Sequence, residues 1–173
     1  DWLSNCIFFR FRIFNKGAND IDSCYLGYWC DVDIGRAEPG ENYDKDDLTA
    51  CDTTRNLGYG YNSANWDYLY GSMQPAVGID LLRGPIVETG NGGDEAHFWD
   101  SVLTGYQNVE MTSFTAMVKS ETPNSPEMTY NYLRGLHANG SRYDVAGDST
   151  PFWYAGDPVA GTGDIQATCS DMQ

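Results

Sequence analysis

The sequence predicts a mainly β fold, an antiparallel β-sandwich with one short helix, in a single domain spanning residues 1–173. Three observations carry this expectation. Nineteen Gly, seven Pro and twelve Tyr suit short strands joined by tight turns, because Gly and Pro interrupt helices and Tyr fits a pleated, half-buried surface. Several segments alternate apolar and polar side chains with the period of two that a strand imposes. Only one segment, beginning at Ser125, combines capping chemistry with a helical period. A chain of 173 residues can bury one sizeable core, and neither an internal repeat nor a composition break marks a second domain.

Taken in order, residues 6–14 place Ile7, Phe9, Phe11 and Ile13 on one face, expected in the core, and Phe8, Arg10, Arg12 and Phe14 on the other. Turn residues from Asn15 to Asp20 lead into a second alternation over residues 23–30, which reads as the partner strand of a hairpin. An acidic loop over residues 31–52 precedes a short strand marked by Leu57, Tyr59 and Tyr61, and residues 65–70 read as an aromatic loop. Val77, Ile79 and Leu81 mark a core strand stopped by Gly84 and Pro85; residues 91–94 are turn chemistry; Phe114, Ala116 and Val118 mark a further strand. The helix is expected to start at Ser125 as N-cap, with Pro126 at the first helical position and Glu127 in the first turn. Met128, Tyr132, Leu133 and Leu136 then share its packing face. Residues 152–154 read as a short strand and residues 156–158 as a turn.

Ten basic against twenty-five acidic residues give a net charge of −15. That balance repels phosphate backbones and anionic lipid surfaces, so nucleic acid is not an expected partner. No apolar run approaches the ~20 residues of a membrane helix, so no membrane insertion is expected. Two readings account for the acidic excess, a solvated surface and divalent cation binding. For the second, Asp31 and Asp33 with Gly35 form a D-x-D-x-G turn, and Asp46, Asp47 and Asp52 follow to complete a shell of hard oxygens around Ca²⁺. The spacing is not that of an EF-hand, and the expected role is structural: neutralising carboxylates lets an acidic loop pack.

The five cysteines, Cys6, Cys24, Cys30, Cys51 and Cys169, have no zinc-site spacing. One reading is an oxidising compartment with one or two disulfides, Cys24 or Cys30 among the bridged residues and one thiol left over; the other is buried free thiols. Tyr59, Tyr61, Trp66, Tyr68 and Tyr70 read either as core and rim packing or as a sugar-stacking platform. His97 and His137 are the only imidazoles. Neither sits in a catalytic motif, no nucleophile elbow or phosphate loop is present, and the chain is read as non-enzymatic. Asn139 heads an N-x-S acceptor pattern for glycosylation. The chain begins at Asp1 without a recognisable leader, which reads as a processed product or an excised segment.

The strings FRIFNKG at 11–17, DVDIG at 31–35, CDTTRNLGY at 51–59, PAVG at 75–78, GPI at 84–86, MTSF at 111–114, YNYLRG at 130–135 and GDPVAGTG at 156–163 together resemble an uncharacterised extracellular β-sandwich module. That module occurs in large secreted surface proteins of Bacteroidota, commonly those carrying a type IX secretion sorting tail. The resemblance spans nearly the whole chain and implies an extracellular or cell-surface location. In that setting Thr53, Ser101 and Ser149, each after an Asp, resemble O-glycosylation sites of exported proteins. In the family further strands usually follow the Gly-Asp-Pro stretch, so the chain reads as a fragment or as a domain completed by a neighbouring strand. The function expected from these readings is a structural or adhesive surface module, self-assembling into filaments or layers, with residues 6–14 as the first interface and copies of itself or neighbouring domains as partners. The alternative is a carbohydrate-binding module whose partners are glycans.

Overall fold

The computed structural model describes residues 2–36, 39–40, 46–117, 121–145 and 147–163. Among these the fold is mainly β, with antiparallel ladders and one short helix. A three-stranded sheet runs in the order β1 (Asp47–Asp52), β2 (Leu57–Asn62), β3 (Val77–Asp80). Four two-stranded ribbons accompany it. They pair β4 (Ile86–Glu88) with β7 (Tyr106–Asn108), β5 (Glu95–Phe98) with β6 (Ser101–Thr104), β8 (Tyr143–Val145) with β9 (Asp148–Thr150), and β10 (Gly156–Asp157) with β11 (Thr162–Gly163).

The sheet and its cover form around β1, the most buried strand. Ala50 and Cys51 are inaccessible to solvent, and Ala50 packs with Ala116 and Tyr154, flanked by Tyr59, Tyr61, Phe114 and Trp153. The cover is a short segment, residues 151–155, stitched between two neighbours by its backbone. Cys51 N–H donates to Tyr154 O at 3.0 Å on one side; on the other, Phe114 N–H donates to Pro151 O at 3.1 Å and Trp153 N–H to Phe114 O at 3.0 Å. Trp153 stacks on Tyr154 and on Tyr143, both at 5.0 Å between ring centroids. His137 closes this aromatic group edge-on to Tyr143 at 4.6 Å and to Trp153 at 5.4 Å. Burial pushes the Tyr143 phenol up to about 12 against a hydrogen bond to Thr115, with nearby Tyr132 and Glu121 adding to the rise.

The helix α1 (Pro126–Leu133) follows its expected chemistry: Ser125 is extended and its Oγ accepts from Met128 N–H at 3.2 Å, with Pro126 next and Glu127 in the first turn. Tyr132 is buried from its expected packing face, whereas Leu136, expected on that face, lies beyond the helix end, buried in an isolated bridge to Arg142. Its C-terminal carbonyls are used for docking, since Thr115 Oγ1 donates to Tyr132 O at 3.0 Å and Ser113 Oγ to Leu133 O at 2.9 Å. The chain turns out of the helix at Gly135, two residues past its end, whose φ is +67°, and a Cβ there would stand 2.2 Å from Pro151 O. Both facts demand glycine.

Several expectations are corrected. Residues 6–14 and 23–30 form no strands and no hairpin ladder; they are irregular and exposed. Ile7, Phe9, Phe11 and Ile13, expected in the core, are 80%, 64%, 71% and 66% exposed. The turn between the two segments does form, with Asn15 Oδ1 accepting from Gly17 N–H at 2.9 Å and Asn15 Nδ2 donating to Asn19 O at 2.7 Å. What holds this N-terminal arm is a set of aromatic and polar contacts. Arg10 and Arg12 lie 4.3 and 4.1 Å from the Trp99 ring centroid, Tyr25 meets Tyr130 edge-on at 5.5 Å, and Tyr130 OH donates to Ser23 O at 3.1 Å. The end of the acidic loop is strand β1, because Leu48, Ala50 and the residues between pair with β2. Strand β3 is the outer strand of its sheet and largely exposed rather than core. Phe114 and Phe152 make one isolated parallel bridge to each other, and Gly156–Asp157 is strand β10 rather than a turn. Val118 and Cys169 lie outside the described residues.

No disulfide joins the described cysteines: Cys6, Cys24 and Cys30 are exposed thiols and Cys51 is a buried one. Burial, with the charge of Asp52 beside it, pushes the Cys51 thiol up to about 12. In reduced protein at neutral pH, alkylation followed by peptide mapping is expected to modify Cys6, Cys24 and Cys30 and to spare Cys51 until the chain unfolds. Labelling of Cys51 at the rate of the other three contradicts the cover over β1.

Candidate functional site

The β1–β2 hairpin has two polar ends. At its open end, Asp47 pairs with Asn62 across the ladder, and Asp46 stands just before β1, its carbonyl accepting from Ser63 N–H at 2.8 Å. Two further segments are drawn to this end. Residues 32–36 cross β2 at Gly60, where a Cβ would stand 3.3 Å from Ile34 Cδ1, so the absent side chain makes room for buried Ile34. Ile34 N–H then donates to Asp47 Oδ2 at 3.0 Å. From the other direction comes Asp67, which is fully buried.

Asp67 organises the site. Its Oδ2 accepts from Arg36 N–H at 2.5 Å and from Asn62 Nδ2 at 3.3 Å, while its Oδ1 accepts from Leu69 N–H at 2.7 Å and Tyr70 N–H at 2.8 Å. The backbone repeats the connection, with Tyr68 N–H donating to Arg36 O at 2.9 Å and Asp67 and Gly71 exchanging bonds at 2.8 and 2.7 Å. Gly35, buried with φ of +72°, faces this carboxylate so closely that a Cβ would stand 2.1 Å from Asp67 Oδ2. Burial pushes the Asp67 carboxyl up, but the hydrogen bonds from Arg36, Tyr70, Leu69 and Asn62 outweigh it and hold it below the usual range. Asp46 is shifted the other way: burial raises it, a backbone hydrogen bond opposes the rise and the Asp67 charge adds to it. The two carboxylates share one neighbour, Asn62 Nδ2, at 3.3 Å from Asp46 Oδ2 and 3.3 Å from Asp67 Oδ2.

At the closed end of the hairpin sits Asp52. Its Oδ1 accepts from Thr54 N–H at 2.9 Å and Thr54 Oγ1 at 2.7 Å, and Arg55 pairs with its Oδ2 and reaches Asp157 Oδ2 at 3.2 Å. Those hydrogen bonds from Thr54 and Arg55, set against burial, lower its carboxyl.

The residues expected around Ca²⁺ are therefore divided. Gly35, Asp46 and Asp47 meet at the open end, whereas Asp52 is five residues along β1, about 17 Å away at strand rise, and is committed to Thr54 and Arg55. Asp31 and Asp33 are exposed on the approach to Gly35. Among the described residues no three His, Cys, Asp or Glu side chains form a metal-holding group. Asn62 and Asp67 were missed from sequence; the available signal was an Asp followed four residues later by Gly, a turn-forming pattern hidden inside an aromatic run. The aromatic set is divided too. Tyr59 and Tyr61 pack on the core 5.8 Å apart, while Trp66, Tyr68 and Tyr70 are about half exposed around Asp67, with Trp66 and Tyr68 edge-to-face at 6.4 Å. The four glycosylation candidates, Thr53, Ser101, Asn139 and Ser149, are all exposed.

No family model matches the chain, and neither a curated protein nor a solved structure matches it. No helix among the described residues is long and apolar enough to cross a membrane.

The opposed shifts of Asp46 and Asp67 give a stability test in chelator at neutral pH. A raised carboxyl contributes stability below its unfolded value and loses it as pH rises through the folded one, so ionised Asp46 is a burden; Asp67, lowered, contributes above its unfolded value and loses this as pH falls through the folded one. Asp46→Asn is expected to melt at or above the wild-type temperature. Asp67→Asn is expected to melt several degrees lower, the gap narrowing as pH falls through and below the ordinary aspartate range. The reverse order contradicts the geometry.

Proposed function

We propose that the chain is a non-enzymatic, extracellular structural module, a β-sandwich whose copies assemble head to tail through the N-terminal arm. The observation that carries this reading is the arm itself. Residues 7–14 are exposed and lie in no strand among the described residues, yet their odd-numbered side chains keep the apolar period of a strand. The acceptor is the outer strand β3, whose exposed edge lies on the same molecule. A donor strand and an open edge on one chain make a heterologous contact, which propagates rather than closes.

Charge favours a second copy as the occupant. Residues 2–19 hold Arg10, Arg12 and Lys16 and no acidic residue, leaving seven basic against twenty-five acidic residues in the rest of the chain. A basic arm on an acidic body is attracted to the next body as well as to its own. Burying Ile7, Phe9, Phe11 and Ile13 would contribute roughly 1.5–3 kcal/mol each, comparable in sum to the ~4–15 kcal/mol that association costs. The backbone ladder along β3 therefore decides the affinity. The resemblance to secreted surface modules and the exposed acceptor residues for glycosylation support the extracellular setting.

Light scattering and electron microscopy of concentrated protein test this. Ordered polymers are expected for the wild type and monomers for a Phe9→Asp, Phe11→Asp double variant, which charges the donor face without touching the core. A wild type that stays monomeric and binds a glycan array through Trp66 overturns the reading in favour of carbohydrate binding, and a double variant that polymerises like the wild type removes the arm from it.

A further inference from the structure

The polar cluster at the open end of the hairpin holds oxygens that its own hydrogen bonds leave unused. Asp46 is 7% exposed, and its Oδ1 has no hydrogen-bond partner; Asn62 Oδ1 is likewise buried without one. Native structures rarely leave a buried carboxylate oxygen without a donor, and such an atom calls for an explanation, an ion among them. Both atoms belong to groups already gathered at one place, because Asn62 Nδ2 bridges Asp46 Oδ2 and Asp67 Oδ2 at 3.3 Å each. With its amide nitrogen turned to two carboxylates, Asn62 keeps its carbonyl oxygen as an acceptor with nothing to accept from. Two buried carboxylates beside one another also repel. Acceptor oxygens and negative charge gathered in one place suit a cation.

We propose that Asp46 Oδ1 and Asn62 Oδ1 are ligands of a calcium ion, with Asp67 as the positioning residue that supplies the second negative charge and orients the Asn62 amide. Both Asp67 oxygens are already engaged by backbone N–H groups, so its part is to hold the cluster in place. Calcium fits better than magnesium or zinc, since a mixed carboxylate and amide set in irregular geometry suits a large hard cation, whereas magnesium demands an octahedron and zinc prefers Cys and His. Two protein side-chain ligands, completed by water and main-chain carbonyls, imply modest affinity, about 10⁻⁴–10⁻³ M, the range of extracellular modules. The site is independent of the N-terminal arm, so its failure and the failure of assembly are separate results.

Calcium titrated calorimetrically into chelator-treated full chain is the test, with terbium as a luminescent probe excited through Trp66, Tyr68 and Tyr70. One Ca²⁺ per chain, a rise in melting temperature and a weaker response to Mg²⁺ are expected. Asp46→Asn is expected to lose the binding and the thermal rise while melting in chelator no lower than wild type, so that the loss is not unfolding. Asp67→Asn is expected to weaken affinity about 10–100-fold, as a supporting residue does, and Asp52→Asn to leave it unchanged. No uptake up to about 10 mM, beyond the extracellular range, overturns the proposal. So does an Asp46→Asn protein that binds as tightly as the wild type, or wild type stabilised by acid and indifferent to Ca²⁺, which would make the unused Asp46 oxygen a protonated one.

Discussion

The buried carboxylate of Asp67 is the interaction on which the candidate site depends. It is fully buried, and four N–H donors from three segments converge on it: Arg36, Asn62, and the Leu69–Tyr70 turn. An ionised group of this kind is tolerated inside a protein only when its hydrogen bonds are complete. Completing them is also what fixes the acidic segment 31–36 to the sheet, since that segment forms no strand. Ile34 adds apolar contact over Gly60, but Asp67 sets the depth and direction at which Gly35 passes. Any larger residue at 35 would meet the carboxylate before it met the sheet.

From this anchor the distribution of charge along β1 becomes intelligible. The strand is apolar in its middle, where Ala50 and Cys51 lie under residues 151–155, and acidic at both ends. Each end solves its electrostatic problem differently. Asp52 has a cation, Arg55, shared with Asp157 of β10, and so ties the β1–β2 turn to the last ribbon. At the other end the carboxylates of Asp46 and Asp67 share an amide instead of a cation, and Asp46 is raised, by burial first and by the Asp67 charge in addition. A ligand that bound only the folded chain at that second end would add to its stability.

Much of the fold was legible because the relevant residues act locally. Ser125, Pro126 and Glu127 specify a helix start through hydrogen bonding and φ preference within one turn, and Asn15 specifies its turn in the same way. Strand β2 was legible from Leu57, Tyr59 and Tyr61. The arm shows where such reading stops: alternation of Ile7, Phe9, Phe11 and Ile13 describes a strand's chemistry, while a partner edge is a property of the rest of the molecule or of another one. Strands β5 and β6 escaped notice because Glu95–Phe98 and Ser101–Thr104 mix polar and apolar residues without a clean period. The residues of the candidate site were half legible. Asp46, Asp47 and Gly35 announce themselves by charge and turn propensity, but Asp67 is recognised by backbone N–H groups of Arg36, Leu69 and Tyr70, and a backbone donor leaves no mark in sequence. Asp52 was misplaced because spacing along the chain cannot tell the two ends of one strand apart.

The most direct test of this account is a titration of the aspartate carboxyl carbons by ¹³C NMR in metal-free protein, with Asp46 and Asp67 assigned through their Asn variants. The account requires Asp67 to stay ionised below the ordinary aspartate range and Asp46 to take up its proton above it. Asp67 protonating at or above the ordinary value would mean that the four donors do not converge on it, and the anchoring of the acidic segment to the sheet would have to be abandoned.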